Sequence, residues 1–124
     1  MKLRTLFTIA AVVALIYAVG LLLVPGTMNA AYGLGVSSSE KLLARFFGVD
    51  LLALGLILWL GRDLNGVSAR PIITGSLIGN AVGVAVALVG TIRGTMSGFG
   101  WSAVLIYLVL ALGFAYFQFM APAK

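Results

Sequence analysis

The chain has 124 residues, of which 62% are hydrophobic and 9% charged, with eight basic residues against three acidic ones and a formal net charge of +5. Average soluble domains carry about 25% charged residues, so this composition leaves no surface to show to water and excludes an ordinary soluble fold. Cysteine and histidine are both absent, which excludes disulfides, thiol redox chemistry, thiolate zinc sites and imidazole ligation of zinc or haem.

The three carboxylates, Glu40, Asp50 and Asp63, are too few for a metal cage. No metal and no cofactor is expected. The basic residues are scattered singly in loops and helix ends, without the clustered patch that nucleic acid needs. They bear on membrane orientation instead.

Four apolar runs fill the chain, at residues 5–24, 42–60, 71–89 and 101–120. A helix needs roughly 20 apolar residues to cross a hydrocarbon core, and each run meets that length. The first follows a basic stretch, Lys2 and Arg4, as a signal peptide would. Its length exceeds the roughly 7–15 residues of a signal-peptide apolar region, and no A-x-A cleavage site follows. It is therefore expected to be the first span.

Pro25-Gly26 ends that span and opens the longest loop, where Gly33 and Gly35 predict irregular backbone and Tyr32 can sit at the headgroups. Ser37 and Glu40 have the S-x-x-E spacing of a capping box at the start of the second span. A short polar loop with a turn at Asn65-Gly66 follows. Pro71 suits the first turn of the third span, where its missing N–H does no harm. The loop from Gly90 to Gly100 is glycine-rich and expected to be mobile. Trp59, Trp101, Tyr116, Phe117 and Phe119 lie near span ends, as interfacial aromatic belts do.

Short connections predict an all-α, up-down-up-down antiparallel bundle of four transmembrane helices, forming one domain over residues 1–124. Lys2, Arg4, Arg62, Arg70 and Lys124 fall on one side of it, and Lys41, Arg45 and Arg93 on the other. The bias favours cytoplasmic termini in a bacterial inner membrane.

Gly75, Gly79 and Gly83 make a small-residue stripe on the third span, continued by Ala87. Weaker stripes occur at Ala10, Ala14 and Ala18, and at Ala44 and Gly48. Such stripes let helix backbones approach closely in lipid. The contact can lie within the bundle or against another subunit.

Asp50 is the most informative single residue. It lies about eight residues into the second run, roughly 12 Å below its start. A carboxylate at that depth should face the bundle interior, be paired or be protonated. Matching depths across the four spans predicts a polar cluster of Asp50, Arg45, Tyr17, Asn80 and Tyr107. That cluster reads either as glue fixing helix register or as a small-solute, ion or proton site. Thr74 and Ser76 are expected to bond their own backbone carbonyls.

The stretch from Leu42 to Asp50 contains Arg45-x-x-Gly48 and is followed by Leu54-Gly55 and Trp59. With Pro25-Gly26 and Tyr32-Gly33, it resembles small bacterial four-helix integral membrane proteins of unknown function. The chain also resembles DoxX-type proteins in size and layout. The resemblance implies a four-helix membrane bundle and no activity, with Arg45 and Gly48 as the positions that carry over.

Three functions fit these residues. The first is a structural or accessory subunit of a membrane assembly, without catalysis. The second is a small oligomeric transporter or channel using Asp50 and Arg45. The third is a lipid-, quinone- or pigment-binding module. The expected partners are membrane lipids and either other membrane subunits or further copies of the chain, and no nucleic acid.

Overall fold

The computed structural model describes residues 2–120. The expected role of Lys124 in orientation lies outside them. Among the described residues there are five α-helices and no strand: α1 at Leu3–Leu23, α2 at Pro25–Ala31, α3 at Ser38–Leu60, α4 at Arg70–Ile92 and α5 at Gly100–Ala115. A 3-10 turn at Gly66–Ser68 precedes α4, and a π-turn at Tyr116–Met120 continues α5. The segments Leu3–Leu23, Ser38–Leu60, Gly66–Ile92 and Gly100–Met120 are long and apolar enough to cross a membrane. The protein is thus an all-α, multi-pass membrane protein.

Two boundaries differ from the reading of the sequence. Pro25 ends α1 but also opens α2, because a fixed φ and a missing N–H suit the first turn of a helix. The first connection therefore contains a seven-residue helix. The second span begins at Ser38 rather than residue 42. The Ser37 hydroxyl accepts from the Glu40 N–H, and the Glu40 carboxylate accepts from the Ser37 N–H, so a complete capping box draws four polar residues into α3. Asp50 is consequently the thirteenth of 23 residues, at the midpoint of the helix.

The helices associate as two tight pairs, α1 with α3 and α4 with α5, and the two pairs touch chiefly at one end. That closed end holds the main core. Phe7, Phe114 and Ile73 are fully buried there, joined by Leu6, Leu58 and Phe117. The Phe7 and Phe114 rings meet with centroids 6.0 Å apart. Phe117 belongs to this core and not to an interfacial belt. The end is tied further by the Arg4–Asp63 ion pair. The Thr74 hydroxyl donates to Gln118 Oε1 at 3.0 Å. Thr74 thus bonds across helices and not to its own carbonyl, because Gln118 on the π-turn comes within reach.

The tightest helix contact is between α1 and α3. Ala10, Ala14 and Ala18 of α1 are buried, as are Ala44, Gly48 and Gly55 of α3. A Cβ built at Gly48 would lie 3.0 Å from Leu21 Cβ and 3.3 Å from the Ala18 carbonyl oxygen. One at Gly55 would lie 2.7 Å from the Leu15 side chain. In lipid there is little hydrophobic drive between helices, so this close approach supplies the association. The stripe on α4 behaves differently: a Cβ at Gly75 or Gly79 meets nothing within 4 Å, and only Gly83 is packed.

Gly48→Val should destabilise the folded state by about 1–3 kcal/mol through overpacking against backbone, while Gly75→Ala should be near neutral. Thermal unfolding of the two variants in detergent, read against the unaltered chain, checks the contrast.

Candidate functional site

Because the two pairs meet chiefly at the closed end, a cleft of about 760 Å³ remains between them. Its walls are α3 on one side and α4 on the other, with α1 and α5 at the back. Leu58, Leu110 and Phe114 form its floor, where it joins the core. Most of the lining is aliphatic or aromatic. The size falls in the range of roughly 300–1,000 Å³ typical of small-molecule sites.

The opposite end is roofed by α2 and the 93–99 loop. The Ser97 N–H donates to the Tyr32 carbonyl at 2.7 Å, and the Ser97 hydroxyl donates to the Ala31 carbonyl at 2.9 Å. The Tyr32 ring meets Phe99 edge-on at 4.9 Å. Gly33 permits this closure. Its φ of +72° is left-handed, and a Cβ there would lie 2.9 Å from Ser97 N. The glycine-rich loop is therefore joined to the roof. Asn29 is buried beneath it, and its amide donates to the Gly35 carbonyl at 3.0 Å.

The polar lining lies under this roof and along the cleft wall. The Tyr17 and Tyr32 hydroxyls share a hydrogen bond at 2.6 Å. Asn80 donates through Nδ2 to the Ser76 carbonyl of its own helix at 2.7 Å, leaving its amide oxygen toward other partners. The Tyr107 ring lies flat against Gly83, where a Cβ would sit 2.5 Å from the ring carbon Cδ1. Gly79 lines the cleft and widens it. Among the described residues Glu40 is the one charged side chain in the lining, and it is engaged by Ser37. No lysine or arginine among the described residues lines the cleft.

Of the five residues expected to cluster, the structure brings Tyr17, Asn80 and Tyr107 to this one cleft. It places Arg45 and Asp50 elsewhere. Both are exposed on α3, outside the cleft lining. Arg45 Nε donates to the Leu22 carbonyl at 3.3 Å, occupying an acceptor in the last turn of α1. Asp50 has no hydrogen bond or ion pair among the described residues. A charge at the centre of a spanning helix costs about 2.5–3.5 kcal/mol on insertion scales.

Sequence reasoning missed Asn29 and Tyr32 as lining residues. The signal lay in Pro25, a helix-opening residue that folds α2 back over the cleft. Among the described residues no group of three potential metal ligands comes together.

Gly83→Ala should push the Tyr107 ring off α4 and cost about 1–3 kcal/mol. The loss should shrink in a Tyr107→Leu background, because the two residues are in contact and must couple. A double-mutant cycle on thermal stability measures that coupling, and simple additivity would contradict the packing described. Comparison with family models, with curated proteins and with solved structures finds no match to this chain.

Proposed function

We propose that this protein binds an uncharged lipid in the cleft between its helix pairs, without catalysing a reaction on it. The observation that carries this reading is the cleft itself: about 760 Å³, lined mostly by apolar side chains, with the Tyr17 and Tyr32 hydroxyls and the Asn29 amide under its roof and Ser76 and Asn80 on its α4 wall. A mostly apolar space with a few neutral hydrogen-bonding groups matches an amphiphile with an apolar tail and a small head carrying carbonyl or hydroxyl oxygens. Quinones and long-chain alcohols have this chemistry. Tyrosine hydroxyls and an asparagine amide can donate to or accept from such a head. A phospholipid head is a poor fit, because among the described residues no basic side chain in the lining would pair a phosphate.

A second reading, an accessory subunit of a membrane assembly, is favoured by Asp50. An acid at mid-helix on an outward face is satisfied by another polypeptide and not by acyl chains. The two readings are compatible, since they use different faces of α3.

Gly79→Phe tests the first reading. The substitution points into the cleft where nothing lies within 4 Å of a Cβ, so the fold should persist while the space is filled. The unaltered protein, extracted in mild detergent, should carry a near-stoichiometric neutral lipid visible by native mass spectrometry and organic extraction. Gly79→Phe should lose that lipid by at least about tenfold, with helical circular dichroism unchanged. Equal lipid content in both proteins would defeat the proposal.

A further inference from the structure

We infer that two copies of this chain pair through the outward face of α3, with Arg45 of each copy bonded to Asp50 of the other. The inference deepens the assembly reading above and is independent of what the cleft holds.

The apolar residues Leu42, Phe46, Val49, Ala53, Leu56 and Leu60 recur at alternating spacings of four and three. That is the a/d pattern of a coiled-coil seam. All six are exposed, Phe46 at 59% and Leu60 at 76%. The seam lies on the side of α3 opposite Ala44, Gly48 and Gly55, which pack on α1. No described residue covers it.

Arg45 and Asp50 flank the seam. They are five residues apart, about 140° around the helix and about 7.5 Å along it. Within one helix that separation keeps them from pairing. Between two parallel helices it is the flanking g-to-e′ relation, in which a residue meets the partner's residue five positions later. With Phe46 at a and Val49 at d, Arg45 falls at g and Asp50 at e. Two copies inserted in a membrane with the same topology necessarily hold α3 parallel. A two-fold axis along the membrane normal then forms the Arg45–Asp50 pair twice.

The charge complementarity selects a second copy as the occupant. Asp50 is unpaired among the described residues. Arg45 uses Nε on Leu22 and leaves both Nη nitrogens free among the described residues. Pairing removes both costs at once. Ala53, one turn past Val49, allows close approach near the acid, and left-handed crossings of about 20° are common between membrane helices.

The chain lacks cysteine, so single cysteines report contacts cleanly. Phe46→Cys, Val49→Cys and Ala53→Cys should form disulfide-linked dimers in native membranes under mild oxidant. Phe47→Cys and Leu54→Cys, exposed but off the seam, and Val86→Cys on α4 should do so several-fold less. In the Val49→Cys background, Asp50→Asn should weaken dimerisation roughly tenfold, the combined effect of losing two polar contacts of ordinary strength. Exchanging the charges as Arg45→Asp with Asp50→Arg should restore it. The cysteine scan keeps both native charges, so it decides the matter even if a charge variant fails to insert. Uniform cross-linking at seam and control positions would overturn the pairing. Adducts of a different mass confined to the seam would overturn self-pairing while leaving the assembly reading. No adduct at any position would overturn both.

Discussion

The close approach of α1 and α3 governs the rest of the structure. Inside a bilayer no water is released when two apolar helices meet, so contact must come from shape. Gly48 and Gly55 let α3 come close enough for its surface to meet the backbone of α1 at Ala18 and Leu15. The α4–α5 pair is similarly close, with the Tyr107 ring filling the absence of a side chain at Gly83. Between the pairs no such small-on-small surface exists above the Phe7–Phe114 core. The cleft is the consequence of where close contact is and is not possible.

The roof follows from local chain chemistry. Pro25 restarts a helix directly after the end of α1, and Gly33 takes the left-handed conformation that brings Tyr32 under Ser97. The hydroxyls of Tyr17 and Tyr32 are thereby held together at the polar end of an apolar space. A ligand head there would exchange hydrogen bonds with groups already desolvated, while the tail would take the place of acyl chains. Affinity in such a site depends on the fit of the head under the roof, because the tail gains little over being in the membrane.

Much of the architecture was legible in the sequence, because hydrophobic run length maps directly onto span length. The capping box at Ser37 and Glu40 and the helix-opening Pro71 were legible too, since they depend on neighbours three or fewer residues away. The site was legible only in part. Depth along the spans matched Tyr17, Asn80 and Tyr107, but depth carries no information on rotation about the helix axis. Arg45 and Asp50 share that depth and point elsewhere. The glycine stripe on α4 was legible only in part for the same reason. Spacing shows that Gly75, Gly79 and Gly83 share a face, but not whether that face meets a helix or a cavity. The stripe with Gly48 looked weaker in sequence because Gly55 continues it after an intervening Leu51.

Rotation is what gives α3 its several roles. One side carries Ala44, Gly48 and Gly55 against α1, and a second carries Phe47 and Leu54 toward the cleft. The third carries the Phe46–Val49–Ala53 seam, with a basic and an acidic residue at its margins. A helix that needed only lipid on its third side would have no use for an acid at its midpoint, where desolvation opposes the charge. The acid becomes intelligible when its distance from Arg45 is read across two helices instead of along one. The same five-residue offset that separates the two charges within a chain brings them into register between chains, and lipid outside the pair strengthens their attraction by lowering the dielectric around it.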